Sequence, residues 1–185
     1  MKGMLKALIY LFAWTLPTIG AEVERKHSPN GYVIETWRED GRSVQHLRIS
    51  QSKSKRVLFE TETSDSWIGD ACISDDGRFV AFASGGGSVG HNARLFKRVA
   101  GGGDEEIEFD FESACVRHLI AKGVIDNERQ ITHLYAQPQR FDGDVLIIRF
   151  VGDYALKGKQ PQLPVTIFAF DPQAKQFEPF SRKKK

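Results

Sequence analysis

Ile73-Ser74-Asp75-Asp76-Gly77-Arg78-Phe79-Val80-Ala81-Phe82-Ala83-Ser84 is the stretch whose reading decides the fold. Asp76-Gly77 gives the backbone a turn with φ > 0 at little steric cost, because glycine has no Cβ to clash there. The apolar run after it, with two phenylalanines and a valine, suits a strand packed inside a sheet. Trp67 to Ile73 on the other side of the turn is a second strand signal. The stretch therefore reads as a hairpin with a buried return strand.

Working outward, the same grammar repeats. Upstream, a polar lead-in from Glu22 to Asn30 precedes Tyr32–Trp37, Val44–Ile49 and Arg56–Glu60, three strand-like runs separated by polar turns. Downstream, the glycine-rich connection from Ser84 to Asn92 leads to Ala93–Val99. A Gly101–Asp104 turn then leads to Glu106–Phe111, where period-two alternation places Ile107, Phe109 and Phe111 on one face. The period then shifts to about 3.6. Glu112 to Lys122 carries Cys115, Val116, Leu119 and Ile120 on one side, an acidic start, a basic finish and Gly123 as a stop, which predicts a short helix. A third unit follows, with strands at Ile131–Tyr135, Val145–Val151, Val165–Phe170 and Gln176–Phe180, and a turn region from Pro138 to Gly143. The expected fold is mainly β: three antiparallel β-meander units with one short helix near residues 112–122.

The ends read differently. Lys2 and Lys6, the apolar run Ala7–Leu16 and the small residues up to Ala21 have the pattern of an export signal, so residues 1–21 are expected to be removed. The apolar run is too short to cross a bilayer, which takes about 20 residues, and no integral membrane span is expected after cleavage. Removing two lysines brings the basic residues level with the 24 acidic ones. Nucleic acid is therefore not an expected partner. Residues 22–181 form one expected domain, and residues 182–185, Arg-Lys-Lys-Lys, a basic disordered tail that could meet an anionic surface. An exported chain, periplasmic or extracellular, has its cysteines in an oxidising compartment. Cys72 and Cys115 are thus expected to form a disulfide, worth roughly 4 kcal/mol in the chain-entropy picture.

Signs of catalysis are sparse. The five histidines include no pair at metal-ligand spacing, so no metal and no cofactor are expected. His118 follows Cys115 by one helical turn, which reads as a bridged cysteine beside a solvent-facing histidine rather than a nucleophilic pair. Asp70, Asp75 and Asp76 read as turn chemistry, and Trp37 and Trp67 as core or sheet-face residues. The glycine-rich connection lacks the Gly-Lys-Ser/Thr ending of a phosphate loop. Its backbone still allows close approach, so the candidate ligand-binding residues are Gly85, Gly86, Gly87, Ser88, His91 and Asn92.

Asp76-Gly77-Arg78-Phe79-Val80-Ala81-Phe82 matches Asp142-Gly143-Asp144-Val145-Leu146-Ile147-Ile148 in pattern. Ile73 to Ser84 resembles the repeat of WD40-like, TolB-type β-propellers, whose blades carry a Ser-Pro-Asp-Gly-Lys turn before an apolar strand. Asp75 stands in the proline position and Arg78 in the lysine position. The resemblance implies a propeller-like domain of blade units and brings no catalytic motif. Three units are too few to close a ring, which takes about four to eight. A compact three-sheet domain, a half-ring that dimerises and a fragment that packs on a partner all remain open. The function expected is an exported, non-catalytic binding or scaffolding protein with a protein partner or self-association. The alternatives are a periplasmic hydrolase with a loop-built active site and a membrane- or polyanion-associated protein using the basic tail.

Overall fold

The computed structural model describes residues 22–39, 44–64, 67–85, 92–99 and 102–180. The expected leader, the basic tail and residues 86–91 of the glycine-rich connection lie outside the described residues. Three four-stranded antiparallel sheets take the strands in chain order. Sheet 1 is β1 (Val23–His27), β2 (Tyr32–Arg38), β3 (Val44–Gln51) and β4 (Val57–Ser64). Sheet 2 is β5 (Trp67–Ile73), β6 (Phe79–Gly85), β7 (Asn92–Arg98) and β8 (Asp104–Glu106). Sheet 3 is β9 (Ile131–Asp142), β10 (Val145–Tyr154), β11 (Thr166–Asp171) and β12 (Gln176–Pro179). One helix, α1 (Phe111–Ala121), joins sheets 2 and 3.

The sheets stack face to face, and β6 shows why. Period-two alternation sends Phe79 and Ala81 into a cluster with Leu134, Leu146, Ile148 and Phe168 of sheet 3. Val80 and Phe82 enter a second cluster with Ile34, Leu47, Ile49 and Phe59 of sheet 1. The middle sheet is thus buried on both faces, which is why its central strand is an unbroken apolar run. The first strands of sheets 2 and 3, β5 and β9, lie against each other. Further out, the segment entering α1 wedges between the sheets, with the Phe109 ring 4.4 Å from Phe170 and 5.6 Å from Phe177.

Three turns at the first-to-second strand connection share Asx-Gly chemistry. Gly31, Gly77 and Gly143 take φ of 80°, 73° and 61°. These turns also link the sheets: Asn30 donates to Asp75, Tyr32 Oη donates to the Asp75 carbonyl at 3.1 Å, and Arg78 Nη2 donates to Asp144 at 2.7 Å. All three are turns in the sequence as well, the first as Ser28-Pro29-Asn30-Gly31 at the end of the polar lead-in.

Several expectations are corrected. Sheet 1 has a fourth strand, β1, where a polar lead-in was expected; backbone pairing from Val23↔Trp37 to His27↔Val33 holds it although nearly all its side chains are exposed. The alternating run at Glu106–Phe111 is not one strand. β8 stops at Glu106, because Asp110 caps the helix by accepting from Ser113 N at 2.9 Å and Phe111 becomes its first residue. Ile107 N still donates to Leu95 O at 2.8 Å, and all three expected apolar residues reach the same cluster. In α1, Ile120 is exposed, and Phe111 and Ala114 are buried with Cys115, Val116 and Leu119. β9 continues through Pro138 to Asp142 where a turn was expected; it is an edge strand, so the missing N–H costs no ladder bond there, and a register shift at Ile147/Ile148 accommodates the change. The expected disulfide is not formed: Cys72 and Cys115 are both free and buried, and each fills apolar space in the cluster between sheets 2 and 3.

Candidate functional site

The thiols make poor nucleophiles. Burial pushes both Cys72 and Cys115 up to about 12, so the reactive thiolate is scarce at neutral pH. His118 meets Phe168 edge-on with ring centroids 5.0 Å apart, and burial, followed by the charge of Lys122, lowers its pKa. Of the three aspartates Asp76 acts as the sequence implied, whereas Asp75 accepts from the Asn30 side chain and Asp70 lies within β5 at φ 47°, where the register shifts between Gly69 and Cys72. Burial alone would raise Asp76, but hydrogen bonds from the Arg78 backbone and side chain and from Ser74 outweigh it and hold the carboxyl below its usual value. No group of three or more His, Cys, Asp or Glu able to hold a metal occurs among the described residues.

Of the six candidate ligand-binding residues, Gly85 ends β6 and Asn92 opens β7, while Gly86, Gly87, Ser88 and His91 lie outside the described residues. Asn92 pairs with Ser84 across the two strands. Both open onto a groove of about 450 Å³ lined also by Arg94, Glu106, Phe109 and Asp110. Arg94 is already engaged: its Nε and Nη2 donate to the Glu106 carboxylate at 2.8 and 2.6 Å, over the ring of Phe96. Those bonds raise the pKa of Arg94 and lower that of Glu106. A second groove, of about 600 Å³, runs between β8 and the β11–β12 turn, with Arg78, Lys97, Lys175, Glu105 and Glu108 among its lining. Neither groove collects charge of one sign.

The outer faces of the end sheets differ from each other. Directly opposed residues on sheet 1 run Arg25, Glu35, Arg48, Glu60 from β1 to β4, with signs alternating. Arg25 Nε donates to Glu35 at 2.9 Å and Arg48 Nε to Glu60 at 3.0 Å. In the neighbouring row Trp37 stacks on His46 at 4.9 Å, and the Arg48 guanidinium lies 5.0 Å from the Trp37 ring. That cover leaves Trp37 only 8% exposed, so it is no open stacking platform. Trp67, by contrast, is a surface residue whose ring lies over Gly69, where a Cβ would come within 1.9 Å of it.

Sheet 3 is more apolar on its outer face. Tyr135, Val151 and Ile167 alternate with the core residues of their strands, and Ile167 is 39% and Val165 58% exposed. Arg149 sits between Gln137 and Ile167, exposed, with no hydrogen-bond or ion-pair partner among the described residues. At the end of the face, His133 Nδ1 lies 3.1 Å from both Asp153 carboxylate oxygens. Only the hairpin and the general β pattern of this face were visible in the sequence; its exposure depends on which sheets stack.

No family model matches the chain, and no curated protein matches it. Among solved structures it is similar to the crystal structure of TolB from Acinetobacter baumannii, with 12% identity and a TM-score of 0.44, over 88% of this chain and 33% of that one. The chain thus spans about a third of the length of that structure.

Proposed function

We propose that the chain is an exported, non-catalytic binding or scaffolding protein whose partner is another protein, received on the outer face of sheet 3. The observation that carries this reading is the combination of exposed Ile167 and Val165 with Arg149, which has no partner among the described residues, on one face of the sheet. Sheet 2, buried on both sides, illustrates what becomes of such faces once covered. Contiguous apolar surface beside arginine is the usual composition of a protein contact. The high thiol pKa values favour the non-catalytic half of the reading. The connection from Gly85 to Asn92 is an accessory binding loop in this scheme, because Ser84, just before it, and Asn92, at its end, open onto a groove.

A photoreactive residue at position 167, in the full chain expressed in an exporting bacterium, tests the surface. The expected result is an adduct with a second polypeptide that disappears in Arg149→Glu. Equal capture from a control at Lys122, exposed at the end of α1, or no adduct, would overturn the reading. Fractionation with N-terminal sequencing tests export, with a start after Ala21 in the exported fraction as the expected outcome.

A further inference from the structure

We propose that the occupant of the outer face of sheet 3 is the outer face of sheet 1 of a second copy, so that two chains close head to tail into a ring of six sheets. The inference rests on the reading of that face as a binding surface. Charge is the first argument. Sheet 3 presents Arg149, without a partner among the described residues, and Arg140, whose guanidinium lies over the Phe180 ring. Sheet 1 presents the carboxylates of Glu60, 44% exposed, and Glu62, 71% exposed. Glu60 and Glu62 keep open edges beyond their pairs with Arg48 and His46, and the exposed Glu178 on sheet 3 has its opposite charge in Arg25, 60% exposed, on sheet 1.

Area is the second argument. A six-residue strand such as β11 is about 20 Å long and four strands span about 19 Å, so one sheet face covers about 400 Å². A single such contact, about 400 Å² per partner, is the size of an incidental encounter. Two reach the roughly 800 Å² per partner of a specific complex. Each chain owns one face of each kind, so a two-fold axis forms both contacts at once and leaves neither face open. Six sheets also fall inside the range of about four to eight that closes radially. Within one chain, sheets 2 and 3 already approach at β5 and β9 and are wedged apart further out by Phe109, the splay that a ring requires.

The test is the solution mass of the full chain at tens of micromolar, combined with photocrosslinking from position 167 in a mixture of isotopically labelled and unlabelled copies. Expected are a mass of two chains and inter-copy adducts mapping to residues 44–64. Arg149→Glu should weaken self-association at least about tenfold, with circular dichroism unchanged. Raising salt from about 0.1 to about 1 M, which shortens the screening length from about 10 to about 3 Å, should weaken it too. A single-chain mass, or a dimer whose adducts map elsewhere, overturns the pairing. If a single-chain mass is accompanied by adducts from position 167 to a different polypeptide, the pairing fails while the binding surface stands; no adduct with any polypeptide sinks both.

Discussion

Ser74 has no exposed surface, yet its hydroxyl accepts from Phe79 N at 2.9 Å and donates to Asp76 at 2.9 Å, while Gly77 N donates to its carbonyl at 2.9 Å. Replacing it with alanine strands a buried N–H, which costs about 1–3 kcal/mol. Ser74→Ala should therefore lower the unfolding free energy by that amount, seen as a lower urea midpoint with an unchanged m-value; a change within error would show that the turn holds without it. The Asp-Gly turn was legible because its backbone demand is local. The depth of Ser74 was not, since burial is decided by the neighbouring sheets. The cysteines show the same limit. Sequence names the compartment and the loop a bridge would close, but not whether two sulfur atoms meet, and both instead serve as apolar filler. With burial holding both thiols near 12, the native protein should resist alkylation at pH 8, and protein unfolded without reductant should titrate two thiols. Finding none after unfolding would restore the bridge.

At the scale of the element, α1 is held at its start by Asp110, whose carboxyl is kept below its ordinary 3.8 by hydrogen bonds from the Ser113 side chain and then its backbone N–H. A carboxyl depressed in the folded state contributes fully above its unfolded pKa and loses that contribution as pH falls through the folded one, so the sensitive window lies below about pH 4. Asp110→Ala should cost about 1 kcal/mol at pH 7 and less at pH 3, whereas Asp110→Asn should keep most of the cap and flatten the dependence. Urea titrations at the two pH values measure both; an equal loss for alanine at pH 7 and pH 3 would remove the charged cap from the account. Helix and meanders were readable because apolar spacing reports local geometry. The alternation at Ile107, Phe109 and Phe111 misled because three residues bound for one cluster look alike whether a strand or a strand-to-helix bend delivers them. β1 was missed for the opposite reason: backbone pairing and one ion pair, Arg25 with Glu35, hold it, and its side chains carry no apolar pattern.

The whole molecule depends on β6, whose successive residues belong to different clusters. Phe82 is fully buried, stacked 5.6 Å from Phe96 at 4° and 6.2 Å from Phe59, all on the side facing sheet 1. Truncating such a ring costs about 3–5 kcal/mol, a large share of the roughly 5–15 kcal/mol that holds a domain together. The strand cannot loosen on that side alone, because Phe79 and Ala81, its alternate residues, hold the packing against sheet 3. Phe82→Ala should therefore lower stability by about 3–5 kcal/mol in one transition. In the chain from Glu22 onward, which lacks Trp14, tryptophan fluorescence reports sheets 1 and 2 through Trp37 and Trp67, and the 222 nm ellipticity includes the helix beside sheet 3. The two signals should shift to lower urea together. If fluorescence moved and ellipticity stayed, sheet 1 would be an independent unit, and the three-sheet stack that the proposed ring is built from would not be a single cooperative body.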